Sequence, residues 1–234
     1  DQGIGFDVAV HVGTLLAVVL YFRKEVAAMA VAWFGTLGVG PQKENKNSFD
    51  GTLAWWILFA SVPLGLAGYL GKDFIEQHLR TAAVIAATTL LFGFLLGFAD
   101  IRAKQNVSIE KLGFKGAMII GFAQALALIP GTSRSGITIT AARYLGYERS
   151  DAARLSMLMS IPTILASGVL LGAEVIATAD AESAKNGAIA AAMAFVAALA
   201  ALALMMRLLR SVSFTPYVIY RVILGAILLV IAYT

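Results

Sequence analysis

Six long, nearly uncharged stretches dominate this chain, at residues 6–22, 53–70, 81–99, 153–173, 188–206 and 217–233. Each is close to the ~20 residues that a helix needs to cross a bilayer. They are apolar around the whole circumference rather than along one stripe, as a helix surrounded by lipid and other helices requires. Only 14% of the residues are charged and 59% are hydrophobic, against about 25% charged in an ordinary soluble domain. The mean hydropathy is +0.82. A soluble globular enzyme and a disordered chain are both excluded. The sequence predicts an all-α polytopic membrane protein, with residues 1–234 forming one integral membrane domain.

Cys is absent, which removes disulfides, thiolate zinc sites and cysteine nucleophiles, and two histidines are too few for a histidine-based metal cluster. The pI near 9.4 reports orientation here, because basic residues mark the cytoplasmic loops of membrane proteins. No nucleic-acid partner is expected. The opening residues, DQGIGFDVAV, show neither a starting methionine nor the charged-then-apolar pattern of a signal peptide. The chain is therefore expected to begin inside a longer protein.

The connecting segments are read as loops at 23–52, 71–80, 100–115, 174–187 and 207–216, the first being the longest and ending in the polar run GPQKENKNSFDG. Residues 116–145 fit neither class. AMIIGFAQALALI is apolar but too short to cross, PGTSRSG breaks it, and ITITAARYL follows as a second short apolar piece. Two half-length helices joined by a Pro/Gly turn describe a re-entrant hairpin; the alternative is one span kinked at Pro130. Irregular backbone at membrane depth is tolerated only where protein or a water-filled cavity surrounds it. The basic residues favour the hairpin. With it, thirteen of them fall on the cytoplasmic side against three (Lys72, Arg80, Lys185) on the other, and Arg134 and Arg221 lie inside segments. A full crossing would leave about nine against seven. The hairpin model places both termini outside.

The segment from Gln124 to Gly136 carries the chemistry. A charge within the membrane is costly, and by default marks a functional site. Arg134 sits between Ser133 and Ser135, with Gly131 and Gly136 freeing the backbone on either side. Successive N–H groups turned inward make an anion nest, and a guanidinium adds a bidentate fork suited to phosphate. A helix starting at 137 would point its N-terminal dipole at the same spot, with Thr138 on its first turn. Every group here, Thr132 included, donates to an anion. The alternative is a polar elbow in which Arg134 pairs with an acid on another helix. Gln124 is equally consistent with interhelical packing or with reaching the site.

Other features carry less. His11 sits on an apolar helix and satisfies a neighbour, and His78 is solvated in a polar loop. Gly93-x-x-x-Gly97 and Gly168-x-x-x-Gly172 match the small-xxx-small pattern, read as intrachain packing or as the seam of a homodimer. Pro63 and Pro162 are expected to kink their helices. The acid-phosphatase type of lipid phosphatase is excluded, since no histidine follows Arg134, and no P-loop is present.

Ala-Leu-Ala-Leu-Ile-Pro-Gly-Thr-Ser-Arg-Ser-Gly-Ile-Thr, preceded by Gln124, closely resembles the second signature of the bacterial undecaprenyl-diphosphate phosphatases, the BacA/UppP bacitracin-resistance family. FDVAVHVGTLLAVVLYFRKE resembles that family's first long helix, and SFTPYVIYRVILGAILL its C-terminal one. The resemblance implies a fold of two inverted-topology repeats, each a re-entrant hairpin followed by three spans. Here 1–99 would supply the helices of the first repeat and 100–234 the second, with its hairpin at 116–145. It also implies a bacterial inner-membrane location and hydrolysis of undecaprenyl diphosphate to the monophosphate carrier of cell-wall synthesis.

By motif, Arg134 takes the phosphate-binding role, with Ser133 and Ser135 as catalytic hydroxyls. Gly131, Thr132, Gly136, Thr138 and Gln124 fall to substrate binding. The family's other signature, a Glu-x-x-x-Glu stretch followed by a Pro-Val-Ser-Ser-Thr-Gly-His-like run, belongs upstream of the first long helix, where this chain has only DQGIG. The resemblance implies a divalent cation, Mg²⁺, held mainly by those upstream glutamates. It also leaves this chain with the anion-binding half of a site and without the attacking half. A flippase or carrier for an anionic prenyl-phosphate lipid is the competing reading, because inverted repeats with broken helices are transporter architecture.

Overall fold

Apolar length and helix-favouring composition leave this backbone one way to satisfy its hydrogen bonds in lipid, and the chain is helical almost throughout. The computed structural model describes residues 3–39, 48–104, 106–178 and 181–234, and within its helices the side chains of 3, 4, 170–178, 181 and 182 are not described. Much of the polar run GPQKENKNSFDG, the surroundings of Gly172, Asp180, and the side chains of Glu174 and Glu182 lie outside that description.

The helices among the described residues are α1 (Gly3–Tyr21), α2 (Arg23–Thr36), α3 (Phe49–His78), α4 (Ala82–Arg102), α5 (Phe114–Ala125), α6 (Arg134–Tyr144), α7 (Arg149–Thr178), α8 (Ala181–Leu208) and α9 (Thr215–Tyr233). Five helices are long and apolar enough to cross a membrane, and up to six if the bent pair α1–α2 forms one span. The protein is a multi-pass, all-α membrane protein.

All six expected spans exist as helices, but three expected loops are wholly or partly helical. In the segment read as a loop over 174–187, α7 continues to Thr178 and α8 begins at Ala181, because its alanine-rich sequence favours helix. The segment after residue 22 is not loop throughout: α2 follows α1 directly, bent from it by 86°. The charged flank Arg23-Lys24-Glu25 disguised a run of good helix formers, and Leu37 and the left-handed Gly38 end it. The segment read as a loop over 71–80 is helical as far as His78, because nothing in GKDFIEQH breaks a helix, and α3 runs on through Pro63. His78 therefore sits at a helix end, its Nδ1 3.2 Å from the Phe74 carbonyl and its ring stacked on Phe74. His11 is exposed on α1, its Nδ1 2.7 Å from the Asp7 carbonyl oxygen.

The chain forms two compact units, one of residues 1–54 and 157–207, the other of 55–156 and 208–234. In the first, α1 approaches α8 so closely at Gly13 that a methyl group there would overlap the Ala191 carbonyl.

The second unit is built on α4. Gly93 and Gly97 of α4 face Arg221 Cβ and Val218 of α9, and Gly225 of α9 lies against Leu90, so the two helices run antiparallel in close contact. The first small-xxx-small stripe is thus used for intrachain packing. The apolar piece after residue 113 and the piece after Ser133 become α5, 12 residues, and α6, 11 residues, and these pack against each other. They form a hairpin rather than one kinked span. Its inbound arm runs alongside α3: Trp56 meets Phe114 at 5.3 Å, Gly121 lies on the Ala60 backbone, and Gly68 faces Leu128.

Candidate functional site

The tip of the hairpin is anchored on α4. Thr88 Oγ1 donates to the Pro130 carbonyl at 2.5 Å and Thr89 Oγ1 to that of Gly131 at 3.3 Å. At the other end of the hairpin, Arg143 of α6 is bound to Asp100 of the same helix α4. Twelve residues of helix separate Thr88 from Asp100, so the tip stands roughly 18 Å from the hairpin's base. That is more than half of a ~30 Å hydrocarbon core.

Glycine is required at the turn. Gly131 has φ +88, and a methyl group there would overlap both the Thr88 hydroxyl and the Ile85 carbonyl. Gly131→Ala should combine left-handed strain with a backbone clash against α4, costing about 3 kcal/mol. A thermal melt in detergent should show the loss, together with reduced activity; an unchanged melt would refute the tight seat of the turn.

The second left-handed position is not Gly136, as an anion nest framed by two glycines would require, but Ser133, at φ 68. Ser133 is the N-cap of α6, its Oγ accepting from Gly136 N at 3.2 Å. The helix therefore begins at Arg134, three residues earlier than the sequence indicated, because the serine cap and the polar Arg-Ser pair belong to its first turn. Gly136 serves another purpose. It is buried inside the first turn, and a methyl group on it would stand 3.2 Å from Ser133 Oγ and 3.4 Å from Arg221 Nη1.

Ser133, Arg134 and Ser135 are half-buried and reachable, whereas Thr132, Gly136, Thr138 and Gln124 are buried behind them. Arg134 Nη1 donates to Gln124 Oε1 at 3.4 Å and to the Ser156 carbonyl at 3.2 Å. Gln124 thus touches Arg134 directly. No carboxylate among the described residues lies within ion-pair distance of Arg134, so the elbow-and-acid alternative is absent there.

Ser133 Oγ lies 3.0 Å from Tyr217 Oη and 3.5 Å from Ser135 Oγ. Thr138 points its hydroxyl to the Arg134 and Ser135 carbonyls and to Ser156 Oγ at 2.7 Å, tying the first turn of α6 to α7. Thr132 Oγ1 and Gln124 Nε2 are buried with no hydrogen-bond partner among the described residues.

Two contributors from α9 escaped the sequence reading, Tyr217 and Arg221. Arg221 Nη2 donates to the Gly131 carbonyl at 2.7 Å and to that of Thr89 at 3.2 Å. The signal was present: Tyr217, Arg221 and Gly225 recur every fourth residue along an otherwise apolar helix, so they share one face.

A magnesium ion finds no ready seat in this cluster. Its groups are hydroxyls, an amide and guanidinia, whereas Mg²⁺ is held by carboxylate oxygens and phosphates. Among the described residues no group of three or more His, Asp or Glu converges anywhere.

A family model described as bacitracin resistance protein BacA matches residues 1–227. A curated relative from Dinoroseobacter shibae, named undecaprenyl-diphosphatase, is 59% identical over 235 residues, covering 100% of this chain and 86% of the relative. One from Colwellia psychrerythraea with the same name is 57% identical over 232 residues, 98% of this chain and 85% of the relative. A third, from Jannaschia sp. and also so named, is 57% identical over 234 residues, with 100% and 86% covered.

Proposed function

The chain belongs to the bacitracin resistance protein BacA family, and from that premise we propose that it hydrolyses undecaprenyl diphosphate to undecaprenyl phosphate and inorganic phosphate in the bacterial inner membrane. The observation that carries this reading is Arg134: a guanidinium at the tip of a membrane-embedded hairpin, held only by neutral acceptors among the described residues. A half-buried cation at membrane depth, with no acid beside it among the described residues, is costly unless an anion arrives to pair with it. The start of α6 adds its backbone N–H groups and dipole at the same place.

In this scheme water or a hydroxyl attacks the terminal phosphorus. The bond from that phosphorus to the bridging oxygen breaks, the prenyl monophosphate leaves, and any phosphorylated hydroxyl is released by water. Arg134 neutralises charge on the transferring phosphoryl group, where the transition state of such reactions gains most. Ser133 and Ser135 flank it as the catalytic hydroxyls. Gln124 and the Ser156 carbonyl fix the guanidinium in direction, and Gly131, Thr132, Gly136 and Thr138 shape the turn beneath the substrate. The prenyl tail lies laterally in lipid.

The activity is expected to depend on Mg²⁺, although the hydroxyls, amide and guanidinia around Arg134 do not form a site for the ion. The division into repeats 1–99 and 100–234 belongs to the same reading.

The test is phosphate release from undecaprenyl diphosphate in detergent, with Mg²⁺ and with EDTA, on this chain and on a form extended upstream. Release in either form supports the reading. Silence in both forms, with lipid binding intact, would favour the carrier for an anionic prenyl-phosphate lipid.

A further inference from the structure

Arg221 is a second cation at the hairpin tip that the reaction scheme above does not use. It is 4% exposed, yet no carboxylate among the described residues lies within ion-pair distance of it. One of its nitrogens is spent on the Gly131 and Thr89 carbonyls. Its Nε has no hydrogen-bond partner among the described residues, and its Nη1 faces the spot beside Gly136 that Ser133 Oγ also faces. Burying a guanidinium merely to clamp two carbonyls is an expensive way to do what a neutral donor could do. The charge calls for an anion.

Arg134 and Arg221 reach the tip from different sides. Arg134 is braced by α5 and α7, through Gln124 and Ser156. Arg221 comes from α9, where Tyr217, one turn earlier, lies under its guanidinium at 5.9 Å and holds Ser133 Oγ. The small glycine at 136 keeps the space between Ser133 and Arg221 open.

We propose that Arg221 is a second phosphate-binding group, so that the two guanidinia divide the two phosphates of a diphosphate between them and make the site favour diphosphate over monophosphate ends. Tyr217 acts as a positioning residue for Ser133. The proposal rests on the phosphatase reading and adds a specificity determinant to it.

The experiment compares inorganic pyrophosphate with orthophosphate as inhibitors of phosphate release, and as stabilisers against thermal unfolding, in the wild-type protein, Arg221→Lys, Arg221→Gln and Arg134→Lys. In both Arg221 variants pyrophosphate should lose about 10- to 100-fold in affinity, the worth of one charge-assisted contact. Orthophosphate should lose less than about threefold. The stabilisation readout does not depend on turnover, and Arg221→Lys retains the charge should Arg221→Gln fail to fold.

Equal weakening of both anions would make Arg221 a clamp for the turn and overturn the proposal, as would no change in either. The failure of the underlying reading looks different: Arg134→Lys would then leave phosphate release untouched.

Discussion

Lysine in place of Arg134 is expected to cut phosphate release from undecaprenyl diphosphate by at least ~100-fold, with most of the loss in kcat. Removing one preorganised donor from a developing anion costs on the order of 10²–10³ in rate. Arg134 is preorganised: Nη1 is tied to Gln124 Oε1 and the Ser156 carbonyl, which leaves the rest of the planar fork to face a phosphoryl group. A lysine ammonium is one point charge on a flexible stem. It can satisfy Gln124 and Ser156 or reach the phosphate, but not both in a fixed plane. Because the positive charge survives, ground-state attraction for the lipid should change less than the rate, so KM should move by only a few-fold. Lysine should also fold normally, since it keeps a donor for Gln124. A variant that retained more than half of the wild-type kcat would remove Arg134 from the chemistry and return the hairpin to a packing role.

What sequence could and could not reveal follows from how far each contact reaches along the chain. The hairpin was readable because its signals are local: two apolar pieces too short to cross, a Pro-Gly break, and an arginine among hydroxyls. The charge distribution then chose between folding back and crossing. The serine cap was less readable, since a left-handed serine at 133 is set by the turn around it and by Tyr217, 84 residues away. Glycine was the natural guess for that backbone region.

The Gly93/Gly97 stripe was visible as a close-contact surface, but its partner α9 lies more than a hundred residues downstream. The same distance hid Arg221, whose bonds to Thr89 and Gly131 span 132 and 90 residues. Local polarity misled at α2, where three charged residues at the start made an alanine-rich helix look like the beginning of a loop. The charge count placed Arg143 and Arg149 on the cytoplasmic side by position but was silent on their partner, since both bind Asp100, 43 and 49 residues upstream.

Asp100→Ala is expected to be the most destabilising single change in the second unit, lowering stability by about 3–5 kcal/mol. The Asp100 carboxylate joins four elements. It accepts from Arg143 Nε at 2.8 Å, from Arg149 Nε at 2.9 Å and from the Phe214 backbone N–H at 3.2 Å, so the end of α4, the end of α6, the start of α7 and the approach to α9 meet on one anion. Arg143 is wholly buried and also donates to the Asp100 and Tyr147 carbonyls. Without the carboxylate its charge is stranded in the interior, which is the costly way to break a buried pair. Arg149, 25% exposed at its side chain, can turn to water and contributes little to the penalty.

In a chain of this size the loss should appear as a drop of roughly 10 °C in the thermal midpoint in detergent. Asp100→Leu combined with Arg143→Leu should cost less than the sum of the two single changes, because no unpaired charge remains. If the double variant is as unstable as the sum, the knot is not an ion pair in energetic terms. The knot fixes the hairpin at its base while the proposed chemistry sits at its tip, so the two kinds of variant should separate cleanly. Asp100→Ala should be heat-sensitive but retain much of its kcat at low temperature, and Arg134→Lys should melt like the wild type and release almost no phosphate at any temperature.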